Sequence, residues 1–206
     1  MKRIIITLLM VCCTVTGMWA QPNSEVKLWK TAKKETKALE ADGWKADGSL
    51  PLENILFNHY KKLMDENNHE IIGNVLGNTS VQTLNQAQQW ASNMACVSYA
   101  KTEGQTMKGR LISEVGAGVA GTPSADSFYE GYESTLEKEI RGELKKSYGI
   151  YLEKRGGGID YKGYYIVNQE NAHKARMRAM QMAMEESEFA RQNAERISEF
   201  VRKGEF

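Results

Sequence analysis

The residues best placed to do chemistry crowd around a triple glycine. Tyr148, Tyr151, Tyr161, Tyr164 and Tyr165 flank Gly156-Gly157-Gly158. Tyrosine rings can stack on sugars or peptides, and the same rings also build sheets. Gly116-Ala117-Gly118-Val119-Ala120-Gly121 matches G-x-G-x-x-G. A dinucleotide fingerprint starts its helix inside the glycines, whereas Thr122-Pro123 starts this one after them, and no acid-ended parallel strand follows. The motif reads as a loop. His59, His69 and His173 lack the i, i+2 or i, i+4 spacing of a metal site, and His59 lies on an apolar stripe as a packed residue. Met177, Met180, Met182 and Met184 read as adaptable packing. Carboxylates are plentiful at helical surface spacing, so no glycosidase pair stands out. No G-x-S-x-G, CxxC, HExxH or P-loop is present. The sequence therefore proposes no catalytic residue, no cofactor and no metal. Its candidate contact surface is Tyr151, Tyr161, Tyr165 and Trp44.

The elements that must position these residues follow from periodicity. Ser24 to Ala41 reads as a rather polar helix, on the surface or as an arm, stopped by Gly43. Gly43 to Leu50 is a turn-rich connector in which Trp44 seeks an apolar partner. Pro51 opens a helix whose stripe is Leu52, Ile55, Leu56, His59, Tyr60 and Leu63. Strands are expected near 70–77, 106–115, 148–154 and 161–168. An alanine-rich helix runs from about Val81 to Lys101, and Cys96 sits off its main stripe, partly covered. Another helix runs from Thr122 to about Lys146, with Pro123 at its first position. The two tyrosine-rich runs form a hairpin in which Tyr148 and Ile150 face Tyr164 and Ile166. A last helix spans about Gln169 to Arg202, with the Ser24–Ala41 helix as the partner for its far half. The fold class is α+β, a small mainly antiparallel sheet packed by long helices.

The N-terminus reads as processing rather than fold. Lys2 and Arg3 precede the apolar run Ile4–Val11, and Trp19-Ala20-Gln21 closes it at a small residue, so 1–20 is expected to be a cleaved secretory signal. Segment 21–50 would then be an N-terminal helix and connector, and 51–206 the α+β domain. Neither Cys12 nor Cys13 follows a small residue at the end of the run, which is poor support for lipidation. Removing the signal leaves Cys96 alone, so no intramolecular disulfide can form. The signal takes two of the 27 basic residues and none of the 26 acidic ones, which leaves the mature chain at a formal charge of −1. That balance offers nothing to nucleic acid. No later stretch is apolar enough to span a bilayer.

From Glu70 to about Glu186 the order of elements resembles the LPP-twenty type of bacterial envelope lipoprotein. The resemblance rests on Ile71-Ile72-Gly73-Asn74-Val75 leading to Ala87, Ala91 and Ala95, and on Tyr164-Tyr165-Ile166-Val167 leading to Ala172-His173-Lys174-Ala175. The end of the signal is similar to those of small secreted proteins of Bacteroides-type bacteria. The resemblance implies envelope location and no known chemistry. The resulting expectation is a non-enzymatic exported protein of the periplasm, outer membrane or extracellular side. It would act as a structural or interaction module, with other envelope proteins or itself as partner. The alternative is a glycan- or peptide-binding module using the hairpin tyrosines. An enzyme would require polar groups converging in a pocket that the sequence does not announce.

Overall fold

The computed structural model describes residues 21–78, 80–116, 122–193 and 197. The stretch expected to be a secretory signal, with Cys12 and Cys13, the glycine loop past Gly116 and nearly all of the chain after Asn193 lie outside the described residues. The fold is α+β. Its elements are α1 (Gln21–Ala41), β1 (Lys45–Ala46), α2 (Leu52–Leu63), β2 (Asn68–Val75), α3 (Leu84–Val115), α4 (Pro123–Arg141), β3 (Lys145–Glu153), β4 (Ile159–Asn168), α5 (Gln169–Glu186) and α6 (Glu188–Gln192). The strands form one antiparallel sheet in the order β1-β3-β4-β2. Among the described residues no helix is long and apolar enough to cross a membrane.

Local chemistry explains the boundaries. Thr83, Thr122, Asn168 and Ser187 each accept a backbone N–H of the following helix and so cap α3, α4, α5 and α6. Gly43 takes φ +84 to end α1, and Gly156, Gly157 and Gly158 take φ +93 to +96 to close the hairpin. Tyr148 lies opposite Tyr164, as expected, and the rings stack with centroids 4.2 Å apart. The rest of that expected pairing is corrected by a bulge at Ser147. Ile166 faces Lys145, and Ile150 faces Lys162.

The strand expected at 106–115 does not exist, because those residues are the second half of α3. Alternation there misled. Ala100, Gly104, Met107 and Leu111 are the buried positions, and gaps of four, three and four are helical spacing. The fourth strand is instead β1, inside the segment read as a connector. The helix expected to reach Lys146 stops at Arg141, since Lys145 and Lys146 already pair with β4. The expected single last helix is broken at Ser187, whose extended backbone caps α6.

The sheet carries a different layer on each face. Ala32 of α1 and Leu52 and Leu56 of α2 pack with Tyr148 and Ile150 on one face. Trp29 of α1 stacks on Phe57 of α2 at 4.2 Å. Among the described residues the partner of α1 is therefore α2, and segment 21–50 is built into the core; most of the far half of the expected last helix lies outside the described residues. On the opposite face α3 lies close, and behind it α4 and α5 complete the largest apolar cluster, where Cys96 is fully buried rather than half-covered. Burial pushes the Cys96 thiol pKa up, which makes it a poor nucleophile.

A row of glycines lets α3 approach. Gly73, Gly163 and Gly149 stand opposite one another across β2, β4 and β3. A Cβ on Gly73 would lie 1.8 Å from the Ala91 carbonyl oxygen, and one on Gly149 would lie 1.9 Å from the Tyr161 hydroxyl. The trough left by the row houses the rings of Tyr161 and Tyr165. Asp47, just after β1, ties this layer together. Its carboxylate accepts from the Tyr161 hydroxyl at 2.6 Å, from Gln88 Nε2 at 2.8 Å and from Lys146 Nζ at 2.5 Å.

Candidate functional site

β2 is an edge strand, and α3 projects past it. The N-terminal turns of α5 close the far side. Between them lies a cleft of about 1020 Å³, lined by His69 to Ile72, by α3 from Ser98 to Arg110 along one face, and by Gln169, Glu170, His173 and Arg176. It forms here because α3 is 32 residues long and continues where the sheet has ended.

Arg176 is the unusual residue of this cleft. It is only 6% exposed, on the alanine face of α5 between Ala172, Ala175 and Ala179. Its Nη1 donates to the Tyr99 hydroxyl at 2.6 Å, and the Glu103 carboxylate lies 3.7 Å away. Its Nε has no acceptor, although a buried guanidinium normally has its donors satisfied. Burial, with Glu103 beside it, pushes the Tyr99 pKa up to about 12, so the phenol keeps its proton. That hydroxyl accepts from Arg176 and can still donate. The Tyr132 hydroxyl, behind α3, is buried without a partner, and burial together with the nearby Glu103 raises its pKa. Arg110 is exposed in the same cleft and has no ion-pair partner among the described residues. The carboxylates there are engaged: Glu70 with His59, Glu170 with Lys174 and Glu103 with Arg176. Beside these pairs the cleft offers the Tyr99 hydroxyl and the exposed Arg110 guanidinium as donors, among mixed donor and acceptor groups such as Asn67, Ser98 and Gln169, so a single ligand carboxylate finds partners at Tyr99 and Arg110.

A second constellation tests the enzyme reading. His59 is 1% exposed, with Nδ1 3.0 Å from Ser147 Oγ and Nε2 2.5 Å from Glu70 Oε2. Serine, histidine and a carboxylate in line can activate a nucleophile. Here the ring is walled in by Tyr148 at 4.9 Å and Tyr164 at 6.0 Å, and Ser147 lines neither the cleft nor the 200 Å³ hollow beside Lys146. Ser147 is partly exposed, but it faces neither of these spaces, where an acyl group could sit. The trio holds α2 to the bulge of β3 and to β2, in keeping with a packed histidine.

The expected tyrosine surface is largely absent. Tyr161 is 0% exposed and Tyr165 is 4% exposed, both buried under α3 by the glycine row. Tyr151 and Trp44 are half-buried on the other side of the molecule, with Lys45 Nζ 5.8 Å above the first ring and Lys162 Nζ 4.8 Å above the second. Of the expected site residues none lines the cleft. His69 and His173 do line it, but among the described residues no cluster of His, Cys, Asp or Glu could hold a metal ion. Arg176 escapes sequence reading because, set between Lys174 and Arg178, it looks like one more charge on a solvated helix face. The signal that could have found it is its place on the alanine stripe.

No protein-family profile, curated protein or solved structure matches this chain.

Proposed function

We propose that this protein is a non-enzymatic, exported cell-envelope module that binds a partner through the cleft between β2, α3 and α5. The observation that carries the reading is Arg176, a buried guanidinium with an unused donor on the wall of a large cleft. A charge is buried without full satisfaction only at a cost, and a ligand oxyanion would offset it. The kinship with LPP-twenty lipoproteins and the envelope location belong to the same proposal. They are supported by the leader-like N-terminus and by the two stretches that carry the resemblance, β2 into α3 and β4 into α5, although the strand expected between α3 and α4 is missing. Cell fractionation together with pull-down from the envelope fraction tests it. Wild-type protein should recover a partner that Arg176→Met does not. A purely cytoplasmic protein, or equal recovery by both, would reject it.

Ser147–His59–Glu70 supports a hydrolase as the second reading. Its test is a fluorophosphonate probe. No labelling is expected, and covalent labelling at Ser147 would replace the first reading with the second.

A further inference from the structure

The cleft runs along an unguarded strand edge. Edge strands are normally protected by lysine, proline, bulges or shortness, because their free N–H and C=O groups template another strand. The β1 edge is two residues long and begins with Lys45. The β2 edge is eight residues long, Asn-His-Glu-Ile-Ile-Gly-Asn-Val, without lysine or proline, and its pairing with β4 is unbroken from Asn68↔Asn168 to Val75↔Tyr161.

The direction of its backbone groups follows from two hydrogen bonds. Gln169 N–H donates to the Asn67 carbonyl at 2.6 Å, so Asn67 faces β4. Residues two apart in a strand face the same way, so His69, Ile71, Gly73 and Val75 bond β4 as well. The opposite end agrees. The Gly149 carbonyl accepts from Asp47 N–H at 2.8 Å and faces β1, so its partner Gly163 faces β2, where it meets Gly73. Glu70, Ile72 and Asn74 therefore present their N–H and C=O groups to the open edge, and no other backbone group among the described residues takes them. Ile72 is 38% exposed beside them.

We propose that an extended polypeptide segment of a partner protein adds as a fifth strand to the free edge of β2, with one acidic side chain seated against Arg176 and Tyr99. The proposal rests on the cleft reading above and names its ligand class. Main-chain pairing would supply affinity, and the side chains of the added strand that turn toward α3 would supply selectivity. Charge complementarity chooses an acidic side chain, because the Tyr99 hydroxyl can still donate and Arg110 is exposed without an ion-pair partner among the described residues, while the Arg176 guanidinium stands behind Tyr99 as a buried positive charge. The volume, about 1020 Å³, is at the upper end of what small ligands occupy, roughly 300–1,000 Å³.

The test is selection from a displayed library of random decapeptides on the immobilised full protein. Enriched peptides should alternate β-formers with polar residues and share Asp or Glu at one fixed position. Ile72→Pro removes one outward N–H at an edge position where proline is tolerated, and it should weaken their binding about tenfold, the worth of one ladder bond. A second measurement does not depend on that variant folding. N-methylating single amides of a selected peptide should abolish binding at every other residue and spare those between. No enrichment, or indifference to every methylation, overturns strand addition. If Arg176→Met still abolishes binding in the latter case, the cleft reading survives alone. If Arg176→Met binds as wild type does, the cleft reading fails too. A concentration-dependent dimer that Ile72→Pro dissociates would make a second copy the occupant, and that also overturns the proposal.

Discussion

At the scale of single residues, Asp47 does more for the fold than its neighbours suggest. It is 8% exposed in its side chain and accepts from a hydroxyl, an amide and an ammonium group. Burial works to raise its pKa, and the bonds from Lys146, Tyr161 and Gln88 outweigh it, so the folded value lies below the ordinary one. Asp47→Ala would leave the buried Tyr161 hydroxyl without an acceptor and should cost about 2–4 kcal/mol in urea unfolding. The sign of the pH effect follows from the lowered pKa. The stabilisation is complete above the unfolded carboxylate value, about 3.9, and is lost as pH falls through the folded value. Wild type should therefore lose more stability between pH 6 and pH 3 than Asp47→Asn, measured by urea midpoints at both ends (roughly the carboxylate range). Equal slopes would show that the carboxylate is not a staple. None of this was legible in the sequence, where Asp47 looks like an ordinary turn residue beside Gly48. Its partners come from β3, β4 and α3, all distant along the chain, and only the closed sheet brings them together.

At the scale of elements, α3 decides the architecture and was half misread. Its first half was legible because Ala87, Ala91 and Ala95 repeat every four residues. Its second half was not, because Gly104 and Gly109 weaken helical propensity and polar residues alternate with apolar ones over 106–113. A direct test is Gly109→Ala. A Cβ there meets nothing within 4 Å, and helical alanine is better than glycine by about 0.8–1.0 kcal/mol. The variant should be more stable by close to that amount, whereas in a strand alanine would bring no such gain. The hairpin, by contrast, was read correctly in its strands and turn, and wrongly in the exposure of its tyrosines. The cause is the glycine row, whose cross-strand alignment cannot be known before the register is. Gly73→Ala drives a methyl into the backbone of Ala91, which cannot swing aside as a side chain would. A loss of about 3 kcal/mol is expected by thermal or chemical melting, at the upper end for overpacking. A neutral result would mean that α3 does not lie that close to the sheet.

At the scale of the whole molecule, the question is why a core otherwise built from alanine, branched aliphatic, methionine and aromatic residues keeps one arginine. Each side of the sheet buries a polar atom without a partner, Thr36 Oγ1 in α1 and Arg176 Nε in α5, but their ionisable groups are satisfied differently. The α1–α2 side buries His59 with both ring nitrogens bonded, so its polar group is fully accounted for. The α3–α4–α5 side buries Arg176 with a 3.7 Å ion pair, one good hydrogen bond and an orphan Nε, and it leaves the Tyr132 hydroxyl unpaired nearby. A residue held for stability would look like His59. A residue held for binding would look like Arg176, because its unused donor is worth something only when a ligand arrives. Replacement separates the two cases. Methionine has a similar reach, no charge to desolvate and a flexible fit among alanines. Tyr99 and Glu103 would each lose a partner, but both are in reach of water in the cleft. Glu103 is partly exposed, so removing Arg176 leaves no fully buried charge unpaired. Arg176→Met should therefore melt at or above the wild-type temperature while losing the partner in pull-down, the pattern expected where stability has been given up for function. A variant that loses several kcal/mol, on the order of 3–5 as when one member of a well-made buried pair is removed, would instead mark Arg176 as a structural residue. The cleft would then have to bind its partner through the β2 edge without it.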